Sequence, residues 1–235
     1  MTVKDEVRPV GAGVREAGTA NLFLIEDLDD AGRTASLAKG DLTALRSVAE
    51  WTKTFVIQPH KDLGRAGPVC PFTAVAVERK TLWLAAERSA GLGTPELIQL
   101  IEGYKRLLLT NPPVDGEDAG NKSIVVVFPD LPAARAKDFI GAALERIGIP
   151  YYADDGLVMG PFYESNDGTA LYNANFRPFT SPVPMLLMRR AVVSDWKFFL
   201  NNEAFFKLWA RRYGVLGTEA LAEEMRRLPW NARRG

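Results

Sequence analysis

The sequence predicts an α+β fold: a mixed sheet covered by helices, built as a single layered domain whose C-terminal helices are aromatic. Three observations lead there. Short β-favouring runs are interleaved with segments of helical periodicity along the chain. Some runs lie close enough for a hairpin and others are separated by a whole helix, which gives antiparallel as well as parallel neighbours. The 235 residues carry 47% hydrophobic side chains with no internal repeat, enough apolar surface for one sizeable core.

In chain order, Met1–Gly40 is rich in Gly, Ala, Thr and charge and reads as a flexible, loosely held arm before a domain covering 41–235. Within that arm, Asn21–Ile25 is a short strand or an apolar anchor. From Asp41, a plausible N-cap, Leu42, Leu45, Val48, Trp51 and Phe55 recur at helical spacing and stop before Pro59. Phe72–Val77 and Thr81–Ala86 favour strands and are joined by Glu78-Arg79-Lys80, which predicts a hairpin. Thr94 caps a helix with Pro95 at its first position, ending at Pro112-Pro113. Ser123–Phe128 is a continuous apolar run, as a central strand buried on both faces requires. Pro132 opens a helix that stops at Gly148, and short strands follow at Leu157–Tyr163 and Met185–Arg189. After Ser194-Asp195, the residues Trp196, Phe199, Leu200, Phe206, Trp209 and Tyr213 mark an aromatic helical region ending at Gly214. A last helix covers about Thr218–Leu228.

Composition narrows the function classes. Lys plus Arg equals Asp plus Glu at 29 each, so no net field draws the protein to nucleic acid or an anionic membrane. A lone cysteine excludes an intramolecular disulfide. The N-terminus lacks a secretory pattern, and no apolar run approaches the roughly 20 residues of a bilayer span. A cytoplasmic protein is expected, with a homodimer as an option if part of the aromatic C-terminal region is exposed.

The chemistry-bearing stretch is Gln58–Phe72, which holds the only histidine, His60, and the only cysteine, Cys70. A structural zinc site needs more ligands than these two residues offer, and a two-His iron site is impossible within the chain. Haem brings its own ring nitrogens and asks for one axial residue, so haem b with Cys70 or His60 as ligand stays open, with Arg65 as a propionate contact. A Cys–His nucleophilic pair, with Asp62 as orienter, is the rival, although no oxyanion-hole motif accompanies it. A purely structural Cys70 in a tight Gly- and Pro-rich connection is the plain alternative.

Cys70-Pro71-Phe72, the helix from Thr94, Ile124–Pro129, Gly160-Pro161-Phe162-Tyr163 and Pro182–Leu187 together resemble the bacterial YqcI/YcgG-like proteins, over about Pro71–Arg190. Several members of that group are haem-containing hydroxylases acting on amino acids in natural-product pathways. The resemblance implies iron chemistry at Cys70, with Phe72 beside it, an amino-acid-like substrate and an electron donor. His60–Gly67 and Asn173–Pro184 are more similar to a neighbouring, uncharacterised actinobacterial family.

Asn173, Asn175, Arg177 and Ser181 concentrate polar groups among prolines, and Arg177 suits a carboxylate of a propionate or a substrate because its guanidinium forks onto both oxygens. Tyr163 is a candidate hydrogen-bond donor to substrate. The expected function is a haem-dependent monooxygenase of a small amino-acid-like substrate. The alternatives are a non-catalytic ligand-binding or partner protein of a biosynthetic cluster, and a Cys-nucleophile transferase or hydrolase.

Overall fold

The computed structural model describes residues 21–227. Of the arm expected over 1–40, residues 1–20 lie outside the described residues, as does the end of the last expected helix at Leu228. From Asn21 onward the chain is anchored rather than loose. Phe23 exchanges both backbone hydrogen bonds with Leu84 (2.9 and 2.8 Å), and Leu22, Phe23, Ile25 and Leu28 are buried. Apolar side chains at these positions bury more surface than the glycine- and charge-rich flanks suggest.

Helix α1 (Ala31–Thr34) is a single turn capped by Asp30. Helix α2 (Lys39–Trp51) buries Ala44, Leu45, Val48 and Ala49, then widens into a π turn over Thr52–Val56. It starts ahead of Asp41, whose carboxylate meets Arg88 at 2.6 Å instead of capping. Helix α3 (Pro71–Glu78) stands where a strand was expected. Pro71 at its first position presets the backbone, and the side of strand β1 (Leu82–Ala86) that a hairpin would use is bridged by Phe23, with strand β2 (Ser123–Val127) on its other side. Lys80, with φ 54°, turns the chain between α3 and β1.

Helix α4 (Thr94–Thr110) crosses over from β1, and the short α5 (Gly116–Gly120) precedes β2, so β1 and β2 are parallel. Helix α6 (Ala133–Asp155) runs past the expected stop at Gly148 and through Pro150. Buried Tyr151 and Tyr152 hold that last turn in place, and Gly156 ends it at φ 63°. Strands β3 (Leu157–Phe162) and β4 (Met185–Arg190) complete a four-stranded mixed sheet of order β1-β2-β4-β3. A 3-10 turn over Val193–Phe198 leads to helix α7 (Glu203–Arg227). The two C-terminal helices expected from sequence merge in it across a kink at Gly214, with φ 48°.

Strand alternation sorts the core into two faces. Trp83, Ala85, Ile124, Val126, Leu186 and Met188 meet α4 and α6 on one face. Leu82, Leu84, Val125, Val127, Met185 and Leu187 meet α2 and α3 on the other. A separate aromatic cluster of Tyr152, Trp196, Phe199 and Trp209 seats α7. The result is the α+β domain with a mixed sheet that the sequence predicts, covered by helices and closed by aromatic C-terminal elements. Among the described residues no helix is long and apolar enough to cross a membrane.

Candidate functional site

The π turn of α2 sets up the site. It puts Thr52 and Val56 toward the sheet and ends in a loop, 57–69, whose ends are tied together. Val69 N–H donates to the Gln58 carbonyl, and Cys70 N–H donates to the Val56 carbonyl, both at 2.9 Å. Cys70 is therefore pinned between the end of the π turn and the first residue of α3. Gly64 and Gly67 take positive φ within this loop, at 78° and 88°. At Gly64 the requirement is also steric, because a Cβ there would lie 2.8 Å from the Cβ and carbonyl oxygen of Tyr172.

Cys70, partly exposed, stands in the wall of a cavity of about 180 Å³. Val48, Trp51 and Val56 supply one side, Leu82, Val125, Met185 and Leu187 the sheet floor, and Phe162, Phe179 and Phe198 much of the rest. The lining is mostly apolar, with Thr52, Thr73, Thr169 and Tyr172 as further polar members, and the charged residues among its described members are Arg65 and Arg189. Arg65 is exposed and tied to its own loop, donating to the carbonyls of Ala66 and Val69 at 2.9 and 3.1 Å.

Arg189 is the residue that sequence reading passed over. On β4 it shares the cavity face with Met185 and Leu187 by strand parity, which was a readable signal once the strand was drawn. Its guanidinium donates to both Asp195 oxygens, at 3.0 and 2.6 Å, and Asp195 is fully buried. Val192 N–H donates to the same carboxylate at 2.8 Å. Phe72 lies under the guanidinium, 5.3 Å from the ring centroid. Burial by itself would lower the pKa of Arg189. The hydrogen bonds and charge of Asp195 outweigh it, with Cys70 adding to the attraction, so the pKa lies above its ordinary value and Arg189 stays cationic.

The other candidates from sequence are placed elsewhere. His60 is stacked on Phe176 at 4.5 Å and edge-on to Phe55, its Nδ1 accepts from Asp62 N–H at 3.2 Å, and it does not line the cavity. Asn173 donates to the Asp62 carbonyl at 2.7 Å, holding segment 169–176 against the loop. Asn175 and Arg177 face solvent, and Arg177 donates to the Ala174 carbonyl. Tyr163 is buried in the core on the α4 and α6 face, away from Cys70. Cys70 and Arg65 share the cavity lining, Phe72 lies under Arg189 without lining it, and His60, Asn173 and Leu63 act as the clip that closes the loop over Ala170 and Phe176. Among the described residues no group of three or more His, Cys, Asp or Glu side chains could hold a metal ion.

Against known proteins, residues 45–224 match the model of a family described as a domain of unknown function, DUF6875. No curated protein and no solved structure matches the chain.

Proposed function

We propose that this chain, which belongs to the DUF6875 family, is a cytoplasmic haem-dependent hydroxylase that takes haem b at Cys70 and oxidises a small amino-acid-like molecule in natural-product biosynthesis. One observation carries the reading: the chain's single thiol is pinned in the wall of an apolar cavity beside two guanidinium groups. The donor set suits the cofactor. A porphyrin needs one axial donor, which Cys70 offers, a cation for a propionate, which Arg65 offers, and apolar walls. His60 lies outside those walls, so Cys70 is the ligand in this reading. The resemblance of the Cys70-Pro71-Phe72 stretch to haem-containing hydroxylases points the same way.

When bound, the cofactor supplies oxygen or peroxide activation, for which a thiolate ligand favours O–O cleavage. The protein does the rest. The backbone bond to Val56 fixes Cys70, Asp195 keeps Arg189 charged and oriented, and Trp51, Phe162 and Phe179 exclude water. An external electron donor completes the partners. A homodimer through the exposed Leu200, Val215 and Leu216 belongs to the same proposal.

A non-catalytic binder of a small ligand is the second reading, and one observation favours it. The cavity's space of about 180 Å³ exceeds the roughly 150 Å³ that takes a benzene. A porphyrin macrocycle is larger than that space. The absorption spectrum of protein expressed with a haem precursor separates the two. A Soret band that moves to the red when the reduced protein meets carbon monoxide supports thiolate-bound haem; Cys70→Ser should lose that shift while His60→Ala keeps it. A folded, colourless protein that refuses hemin leaves the binder.

A further inference from the structure

A second cavity, of about 370 Å³, adjoins the Cys70 cavity and shares Phe162, Phe179, Leu187, Arg189 and Phe198 with it. Its own walls come from α6 (Leu144, Gly148), from Met159 on β3, and from Phe199, Asn202 and Phe205 before and within α7. Arg189 is the only charged residue in its lining among the described residues.

The guanidinium's hydrogen bonds show which part of it is spoken for. Asp195 takes one N–H from each Nη, and the Arg190 carbonyl takes another from Nη1 at 2.8 Å. Nε–H and the second N–H of Nη2 have no hydrogen-bond acceptor among the described residues, and in a planar guanidinium these two point along one edge. A carboxylate accepts such a pair bidentately. The local charge allows it. The described lining of the cavity holds no carboxylate, and Arg212 lies over the Tyr152 ring, 5.7 Å from its centroid. Arg212 itself is turned to the carbonyls of Tyr152 and Ala153.

We infer that this second cavity is a binding site for a small carboxylic acid with an aromatic or branched apolar body, its carboxylate seated on the free edge of Arg189 and its body among Met159, Phe199 and Phe205. The carboxylate end would then lie at the junction with the Cys70 cavity. Arg189, rather than Arg177, is the anion contact, and Asp195 is the positioning residue that aims it. The inference rests on the proposed function for what happens to the ligand, but not for the binding itself.

Isothermal titration of the haem-free 235-residue chain with 3-phenylpropionate and with 3-phenylpropanamide tests it. The acid should bind, and the amide, which is the same size and uncharged, should bind at least about tenfold more weakly, the discrimination a site built for a charged hydrogen-bonding partner gives. Arg189→Met should erase that preference. Gly148→Leu, which fills the cavity from α6 where a Cβ meets Phe205 at 3.5 Å, should weaken both ligands without touching Arg189. Cys70→Ser should bind the acid as the wild type does, so loss of the haem reading and loss of this one are seen separately. Equal affinity for acid and amide, or no binding of the acid at millimolar concentration, overturns the inference. That comparison uses the wild type alone and stands even if Arg189→Met fails to fold.

Discussion

Removing the Asp195 carboxylate should unfold the protein more readily than almost any other polar substitution. Asp195 accepts three hydrogen bonds, two from Arg189 and one from Val192 N–H, and is 0% exposed, while the Arg189 side chain is 13% exposed. Asp195→Ala leaves a buried guanidinium without its counter-charge and an N–H without an acceptor, and truncating one partner of such a pair costs about 3–5 kcal/mol. At about 2–4 °C per kcal/mol for a chain of this size, Tm should fall by roughly 6–20 °C. Asp195→Asn keeps the shape and one acceptor and should lose less. The double variant Arg189→Met with Asp195→Leu should recover much of the loss, because a buried pair replaced by apolar groups is often neutral. Urea unfolding followed by far-UV circular dichroism at pH 7 measures each step, with and without 0.5 M sodium chloride as about a fivefold step over ordinary ionic strength. The loss should barely respond to salt, unlike that for an exposed pair such as Glu203–Lys207. An Asp195→Ala protein within about 1 kcal/mol of wild type would mean that the pair does not hold the cavity wall as described.

Three further outcomes are expected. Gly64→Ala should cost more than Gly67→Ala: both carry the strain of positive φ, about 1–2 kcal/mol, but only Gly64 also drives a Cβ into Tyr172, the nearest atom at Gly67 being Arg65 Nη1 at 3.6 Å. Thermal melts give the difference, and faster proteolysis within 169–180 should accompany Gly64→Ala alone. Asp130 accepts from Ser89 N–H, Ser89 Oγ–H and Ala90 N–H; burial alone would raise its pKa, but those bonds hold it below the usual carboxylate range. Its stabilisation is therefore full above the unfolded carboxyl pKa of about 3.9 and lost as pH falls through the lower folded value. Asp130→Asn should cost about 1–2 kcal/mol at pH 7, with the two proteins converging in acid, and parallel curves down to the lowest pH would refute the assignment. Cys70→Ala should leave the unfolding free energy within about 1 kcal/mol of wild type, since the thiol lines a void, and a larger loss in a melt would mark the cysteine as structural.

Residue types and their spacing determined a good deal. The continuous apolar run at 123–128 could only be a strand covered on both faces, and it is β2 at the centre of the sheet. Helices α2 and α4 were written in their periodicity because their buried stripes repeat every turn. The uniqueness of Cys70 and His60 confined thiol and imidazole chemistry to one loop. Only the tertiary structure decided the rest. Phe72–Val77 has strand-forming residues, but the side of β1 it would pair with is bridged by Phe23 and Pro71 opens a helix, so it became α3, and Pro150 did not end α6 because Tyr151 and Tyr152 are held in the core. Cys70 and His60, ten positions apart, were separated by a loop that folds the imidazole onto Phe176 and the sulfur into the cavity. Arg189 met Cys70 across more than a hundred residues, an encounter fixed by which strands pair and which face each side chain takes, and neither is a local property of the chain.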